Sequence, residues 1–175
     1  MNVMVTEYNE KWDHMFREEA QKIEEIFADE LLDIHHIGST SVPGLKAKPI
    51  IDMMPVVKDI EKMDSYNEKM EGLGYECMGE FGMTGRRYFR KGGDNRTHQV
   101  HVFQADNKED IQRHLAVRDY LRTHPEAVKQ YGDLKEKLAN QFPKDIEAYM
   151  DGKRCVCERT GKKSIALVYE SLALR

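Results

Sequence analysis

The first apolar pattern along the chain is helical. Trp12, Met15, Phe16, Ile23, Ile26 and Phe27 recur at spacings close to the helical repeat, which predicts an amphipathic helix over residues 10–28 with Asn9 at its N-cap. LLDIHHIGS then reads as a short strand stopping at Gly38, and residues 40–48, with Pro43 and Gly44, as a loop. PIIDMMPVV, residues 49–57, is a mostly apolar run of strand length, the pattern of a central strand covered on both faces. Proline has no N–H to give a ladder, so Pro55 should mark the end of that strand or an irregularity in it. Asp59 is placed to cap a second helix, with Ile60, Met63, Tyr66 and Met70 on its inner stripe and Gly72 and Gly74 at its stop. YECMGEFGMTGRRYFRKGG predicts two short strands around a Gly-rich turn. THQVHVFQA, residues 97–105, predicts another, with Val100 and Val102 on one face and His101 and Phe103 on the other.

Beyond residue 107 the pattern is helical again, divided at Pro125, with Pro143 opening a last helix. A helix, strands with one crossover helix, then a helical block predict an α+β domain with helices segregated after a sheet. The sheet core falls within residues 1–105 and the helical block within 106–175, in a single domain spanning 1–175.

Composition narrows this picture. A chain of 175 residues suits one domain with a sizeable core. Net charge −4 argues against a general nucleic-acid surface, which is normally basic. No window approaches a membrane span and the N-terminus lacks a signal-peptide run, so the expected location is cytoplasmic, with no membrane partner. Cys77, Cys155 and Cys157 form neither a disulfide framework nor a zinc set. The last two read as thiols of the final helix.

The candidate chemistry centres on Asp52, alone in an apolar strand. A buried carboxylate without a partner is expensive. It is therefore either a ligand for a cation or a hydroxyl, or an acid satisfied by loop N–H groups, His36 or Lys48. The preceding strand ends in Gly38-Ser39. Such a turn offers backbone N–H groups and a hydroxyl to phosphate oxygens, and glycine permits close approach. An acid on the next strand can return to the same edge and hold a divalent cation that neutralises phosphate charge.

Among the histidines, His101 and then His36 are the candidates to join Asp52. His98 and His101 lie three apart and cannot share a strand face without a bulge. Arg86, Arg87, Arg90 and Lys91 form a basic run, either a phosphate clamp or a solvated hairpin edge. Tyr131 and Lys135 share a helix face, with Lys135 a candidate substrate contact, while Arg118 and Asp119 read as ion pairs locking helices to the sheet.

HHIGSTSVPGLKAKPIID, GEFGMTGRRYF, HQVHVF and HLAVRDYLRTHPEAVKQYGDLKEKLA, with the opening YNEKWDHMF, resemble the GrpB family over residues 5–153. GrpB proteins are grouped with the nucleotidyltransferase superfamily, whose fold is that of the catalytic domain of DNA polymerase beta. The resemblance implies a small mixed sheet carrying the Gly-Ser turn and a metal-binding carboxylate. In active members of that superfamily the turn holds the nucleotide's phosphates, and a carboxylate–X–carboxylate pair plus a third acid binds two metals.

Carried over, Gly38 and Ser39, with Thr40 after them, match the turn and Asp52 the first acid. The second acid falls on Met54, and the best-placed polar residue for the third is His101. A thioether is a poor ligand for Mg²⁺, whereas imidazole suits Zn²⁺, Mn²⁺ or Ni²⁺. The expected site therefore has Asp52 as catalytic residue, and Asp52, His101 and His36 on one divalent metal (Mg, Mn or Zn). Gly38, Ser39, Thr40, Lys48, Arg86 and Arg87 surround a nucleotide or other small phosphorylated ligand. Two functions fit: a nucleotidyltransferase-like enzyme, or a catalytically degenerate binding protein of the same fold. A third is a histidine- and metal-dependent hydrolase of small molecules. The tail CVCERTGKKSIALVYESLALR departs from the family pattern and is not read through it.

Overall fold

The computed structural model describes residues 4–149. The first apolar stripe forms α1 (Lys11–Phe27), which buries Trp12, Ile23 and Phe27. Asn9 closes its first turn: its side-chain oxygen accepts from the Lys11 N–H at 3.0 Å and its carbonyl from the Trp12 N–H at 3.0 Å.

Five strands follow: β1 (Leu31–Ile37), β2 (Ile51–Val57), β3 (Tyr75–Cys77), β4 (Arg86–Lys91) and β5 (His98–Gln104). They form one mixed sheet in the order β1-β2-β5-β4-β3. β2 runs parallel to β5, and the other neighbours are antiparallel. As the apolar run predicts, β2 is interior and all seven of its residues are buried.

Pro55 does not end the strand. β2 continues to Val57 and keeps one offset against β5, with Met53 opposite Val100 and Val56 opposite Phe103. The ladder to β5 skips Met54 and Pro55, the irregularity expected at a residue with no donor. A second irregularity lies in β1, where the register shifts between Leu31 and Asp33.

Strand alternation divides the sheet into two faces. Ile51, Met53, Val57, Phe89, Val100 and Val102 pack with α1 in the main core. A 3-10 stretch (Ile60–Tyr66) joins them, its start held by Asp59, whose Oδ1 accepts from the Glu61 N–H at 3.0 Å. The short helix α2 (Asn67–Gly72) follows. On the opposite face Ile37, Met54 and Phe103 meet Ile111 and Leu115 of α3 (Lys108–Thr123). The next helix, α4 (Pro125–Gln141), starts at Pro125 as predicted, and with α3 it packs Leu121, Ala127 and Tyr131 on Val42 and Leu45 of the loop after β1. The helices after the sheet thus gather on one face, in the expected α+β arrangement. Pro143 lies in a bend, and helix resumes only at Ile146. Cys155 and Cys157 lie outside the described residues. Among the described residues no helix is long and apolar enough to cross a membrane.

Candidate ligand-binding cavity

β1 ends where Gly38 takes φ +71° and ψ −170°, a region essentially reserved for glycine. Ile37 is opposite Asp52 in the ladder, so the break in β1 falls directly over the acid. A β-carbon on Gly38 would lie 2.5 Å from Asp52 Oδ2 and 3.1 Å from its Cβ and Cγ. The turn and the carboxylate therefore touch, as the Gly-Ser reading requires.

The turn is braced from above. Ser39–Ser41 form a single 3-10 turn. Arg122 donates to the Ser41 carbonyl through Nε and Nη2 at 2.9 and 2.8 Å, and Arg118 donates to the His36 carbonyl at 3.3 Å. These arginines are one turn apart on α3 and share a face. Arg118 also pairs with Asp119 at 2.8 Å, but that ion pair lies within α3; the bond to the His36 carbonyl, and not the expected ion pair, ties helix to sheet. Arg122 was the missed half of this clamp, and its i,i+4 spacing from Arg118 was the signal.

Between this sheet face and α3, α4 and the β3–β4 loop lies a cavity of about 730 Å³. Alternate residues of three strands form its floor: Asp52 from β2, Gln99 and His101 from β5, Arg86 and Tyr88 from β4. Ser39 and Lys48 stand at the turn end, and Tyr131 and Lys135 enter from α4. Arg96 and Arg113 complete a cationic lining: five basic side chains against Asp52 and Asp110, in a chain of net charge −4. Arg113 pairs with Asp110 at 2.7 Å. Low-dielectric walls of one sign concentrate the field on an anion.

His101 meets Asp52 as expected, Nε2 lying 3.5 Å from Oδ1, with both side chains buried. His36 does not join them. It pairs with Met53, one step out of phase with Asp52, and its ring stacks on Phe16 of α1 at 4.7 Å and 8°. The Thr40 hydroxyl donates its one proton to the Ile50 carbonyl at 3.0 Å, so His36 donates its Nε2–H to Thr40 Oγ1 at 3.0 Å. Burial lowers the His36 pKa to about 4 and keeps the ring neutral. Strand parity thus removes His36 from the expected metal set, and Thr40 lines the cavity with its hydroxyl already engaged.

The basic run divides the same way. Arg86 lines the cavity, whereas Arg87 turns to the other face and grips Asp64 through Nε at 2.8 Å and Nη2 at 3.1 Å. The expectation that Arg87 faces the phosphate site is corrected by that ion pair. Arg90 is bonded to Glu76 at 2.8 Å and Lys91 to Glu19 at 2.7 Å. Gln99 and Tyr88 were overlooked, although each is two residues from a recognised candidate and so shares its face. Arg96 and Arg113 carried no sequence signal.

Met54, where the second acid would stand, is 0% exposed and packs with Ile37 and Phe103. Among the described residues no group of three His, Cys, Asp or Glu side chains is arranged to hold a metal ion. The two-metal arrangement of the superfamily does not fit these residues.

The five-stranded mixed sheet with its flanking helices has the fold of a nucleotidyltransferase-type domain. The structure of Cid1 in complex with the UTP analogue UMPNPP matches with a TM-score of 0.50 over 87% of this chain and 50% of that one, at 12% identity, a likeness of fold alone. The sequence profile described as GrpB protein matches residues 2–163, and the chain belongs to the GrpB family.

The crystal structure of conserved protein GrpB from Enterococcus faecalis is 44% identical and superposes with a TM-score of 0.85 over 98% of both chains. The UPF0157 protein YqkA of Bacillus subtilis is 50% identical over 146 residues, 83% of this chain and 42% of that protein. The UPF0157 protein PA4798 of Pseudomonas aeruginosa is 40% identical over 162 residues, 89% of this chain and 64% of its own length. The chain thus spans less than two thirds of these two curated relatives.

Proposed function

We propose that the cavity binds a nucleotide or another small phosphorylated molecule, with the phosphates at the Gly38–Ser39 turn beside Lys48 and Lys135 and Arg86 adding positive charge from the far end. One observation carries this reading: the glycine turn closes on Asp52 inside a cavity where basic side chains outnumber acidic ones five to two. Guanidinium and ammonium groups bind phosphate oxygens by charge-assisted hydrogen bonds, which strengthen away from water. The Ser39 hydroxyl adds a neutral donor at the turn end. Asp52, set against His101, accepts from a hydroxyl of the ligand.

Binding without two-metal transfer is the function the side chains favour. An apolar thioether at residue 54 supplies no oxygen donor, and His36, the expected third ligand, faces α1. The protein is then a catalytically degenerate member of its fold that keeps the pocket.

Isothermal titration with nucleoside triphosphates and sugar phosphates, with and without Mn²⁺, tests the reading. Binding that is lost in Asp52→Ala and Lys135→Ala supports it. If no phosphorylated ligand binds at any Mn²⁺ concentration, the proposal fails. Release of pyrophosphate from a bound triphosphate would overturn the degenerate reading and restore transfer.

A further inference from the structure

Phosphate recognition leaves one side chain at the cavity rim unexplained. Phe81 is 55% exposed, and of the exposed large apolar residues among those described (Met4, Leu32 and Phe81) it is the one on the cavity wall. Its φ is +46°, and Gly79, Gly82 and Gly85 beside it are also positive. Glycine adopts such angles without penalty, but a residue with a β-carbon does not.

The loop is held in this shape. Arg86 Nη2 donates to the Phe81 carbonyl at 2.9 Å, and Nε and Nη2 both donate to the Glu80 carbonyl at 3.3 Å. The Gly85 N–H donates to Glu80 Oε1 at 2.8 Å, and the Tyr88 N–H to the Gly79 carbonyl at 2.8 Å. A strained backbone fixed at both ends presents an aromatic ring to solvent, so the ring's position is built in.

That ring has one covered face. It stacks on Tyr88 with centroids 5.3 Å apart and planes 25° apart. Tyr88 in turn lies 5.1 Å from the His101 ring, and His101 touches Asp52. Asp52, His101, Tyr88 and Phe81 therefore form a row from β2 across β5 and β4 to the loop. Neighbouring strands are about 4.8 Å apart, so β4 lies roughly 10 Å from β2. A ligand with its phosphates at the turn reaches Phe81 only if it extends about that far, and it stacks there only if its far end is planar.

We infer that Phe81, backed by Tyr88, is the shelf on which a nucleobase stacks, so that the cavity takes a nucleotide in preference to a sugar phosphate or inorganic polyphosphate. The inference rests on the reading above that phosphate occupies the Gly38–Ser39 end. Stacking accepts any base, since every base has a π-face. The shelf therefore selects nucleotides as a class.

Titration of nucleoside triphosphates, ribose 5-phosphate and inorganic tripolyphosphate into the wild-type chain, Phe81→Gly and Phe81→Trp decides the matter. Glycine relaxes the positive φ, so Phe81→Gly should melt at or above the wild-type temperature and keep the fold. Wild type should bind triphosphates more tightly than tripolyphosphate. Phe81→Gly should weaken triphosphate binding roughly ten- to a hundredfold and leave tripolyphosphate unchanged, while Phe81→Trp restores it. Equal affinity for triphosphates and tripolyphosphate, unmoved by Phe81→Gly, overturns the shelf and leaves the phosphate reading standing. If neither anion binds, the phosphate reading falls and takes the shelf with it.

Discussion

Replacing Gly38 by alanine measures the contact on which the cavity depends. The backbone there, at φ +71° and ψ −170°, is nearly closed to other residues, and holding alanine in it costs about 1–3 kcal/mol. The new β-carbon would stand 2.5 Å from Asp52 Oδ2, and displacing a packed group to relieve such a contact costs a further 1–3 kcal/mol or so. Gly38→Ala should therefore lower the unfolding free energy by about 2–6 kcal/mol, a large part of the roughly 5–15 kcal/mol of an ordinary domain. Urea unfolding followed by circular dichroism should give a lower midpoint with an unchanged slope. In an Asp52→Ala background the clashing oxygen is gone, so the same glycine substitution should cost about 1–3 kcal/mol less. Equal costs in the two backgrounds would mean that turn and carboxylate do not touch, and the reasoning about the pocket would be wrong.

Other outcomes follow from the same geometry. Burial lowers the His36 pKa to about 4, below the 6.5 of an ordinary imidazole, so its native form resists a proton that the unfolded chain accepts. The stability this gives is full above about pH 6.5 and is lost as pH falls through 4, about 3 kcal/mol in all. Urea midpoints at pH 7.5 and 4.5 should therefore differ less in His36→Asn than in wild type, and an equal drop refutes the assignment. Lys135→Ala should weaken binding of a phosphorylated ligand about tenfold or more, whereas Arg87→Lys, altering contacts to Asp64, Glu61, Glu80 and the Arg86 carbonyl outside the cavity, should shift the melting temperature and not the affinity. Met54→Asp should place a carboxylate among Ile37 and Phe103 and cost several kcal/mol at pH 7, less at pH 5 because burial raises its pKa. A variant that stays fully stable at pH 7 and gains stability with Mg²⁺ would show that this position admits a metal.

The parts of the site that were legible in the sequence depend on residues adjacent along the chain. The run over β2 announced an interior strand, and Gly38-Ser39 announced a turn because only a few residue types perform that job. What was not legible depends on strand parity. Whether His36 or His101 shares a face with Asp52 is set by Ile37 lying opposite Asp52 and His101 two residues beyond Gln99. A slip of one residue in the β1–β2 ladder would bring His36 to that face and one in the β2–β5 ladder would take His101 from it, and the spacing of single histidines does not reveal either register. Arg86 and Arg87 are separated by the same parity, since they face opposite sides of β4. Pro55 shows how far a rule about one donor reaches: it interrupts the ladder to β5, but a strand paired on both sides carries on past it.

Residues 52 and 54 are on the same face of the same strand, yet only one reaches the cavity. Asp52 lies where β1 has ended at Gly38, so the space above it opens toward the turn. Met54 lies deeper, where β1 is still paired and Ile111 and Leu115 of α3 close over Ile37 and Phe103. That roof is the helix whose Arg118 and Arg122 grip the carbonyls of His36 and Ser41. Lifting α3 far enough to hydrate a carboxylate at residue 54 would release the hydrogen bonds that brace the Gly38–Ser39 turn. In this chain, holding the turn and completing a two-metal pair thus make opposite demands on one helix, and the packing has settled in favour of the turn.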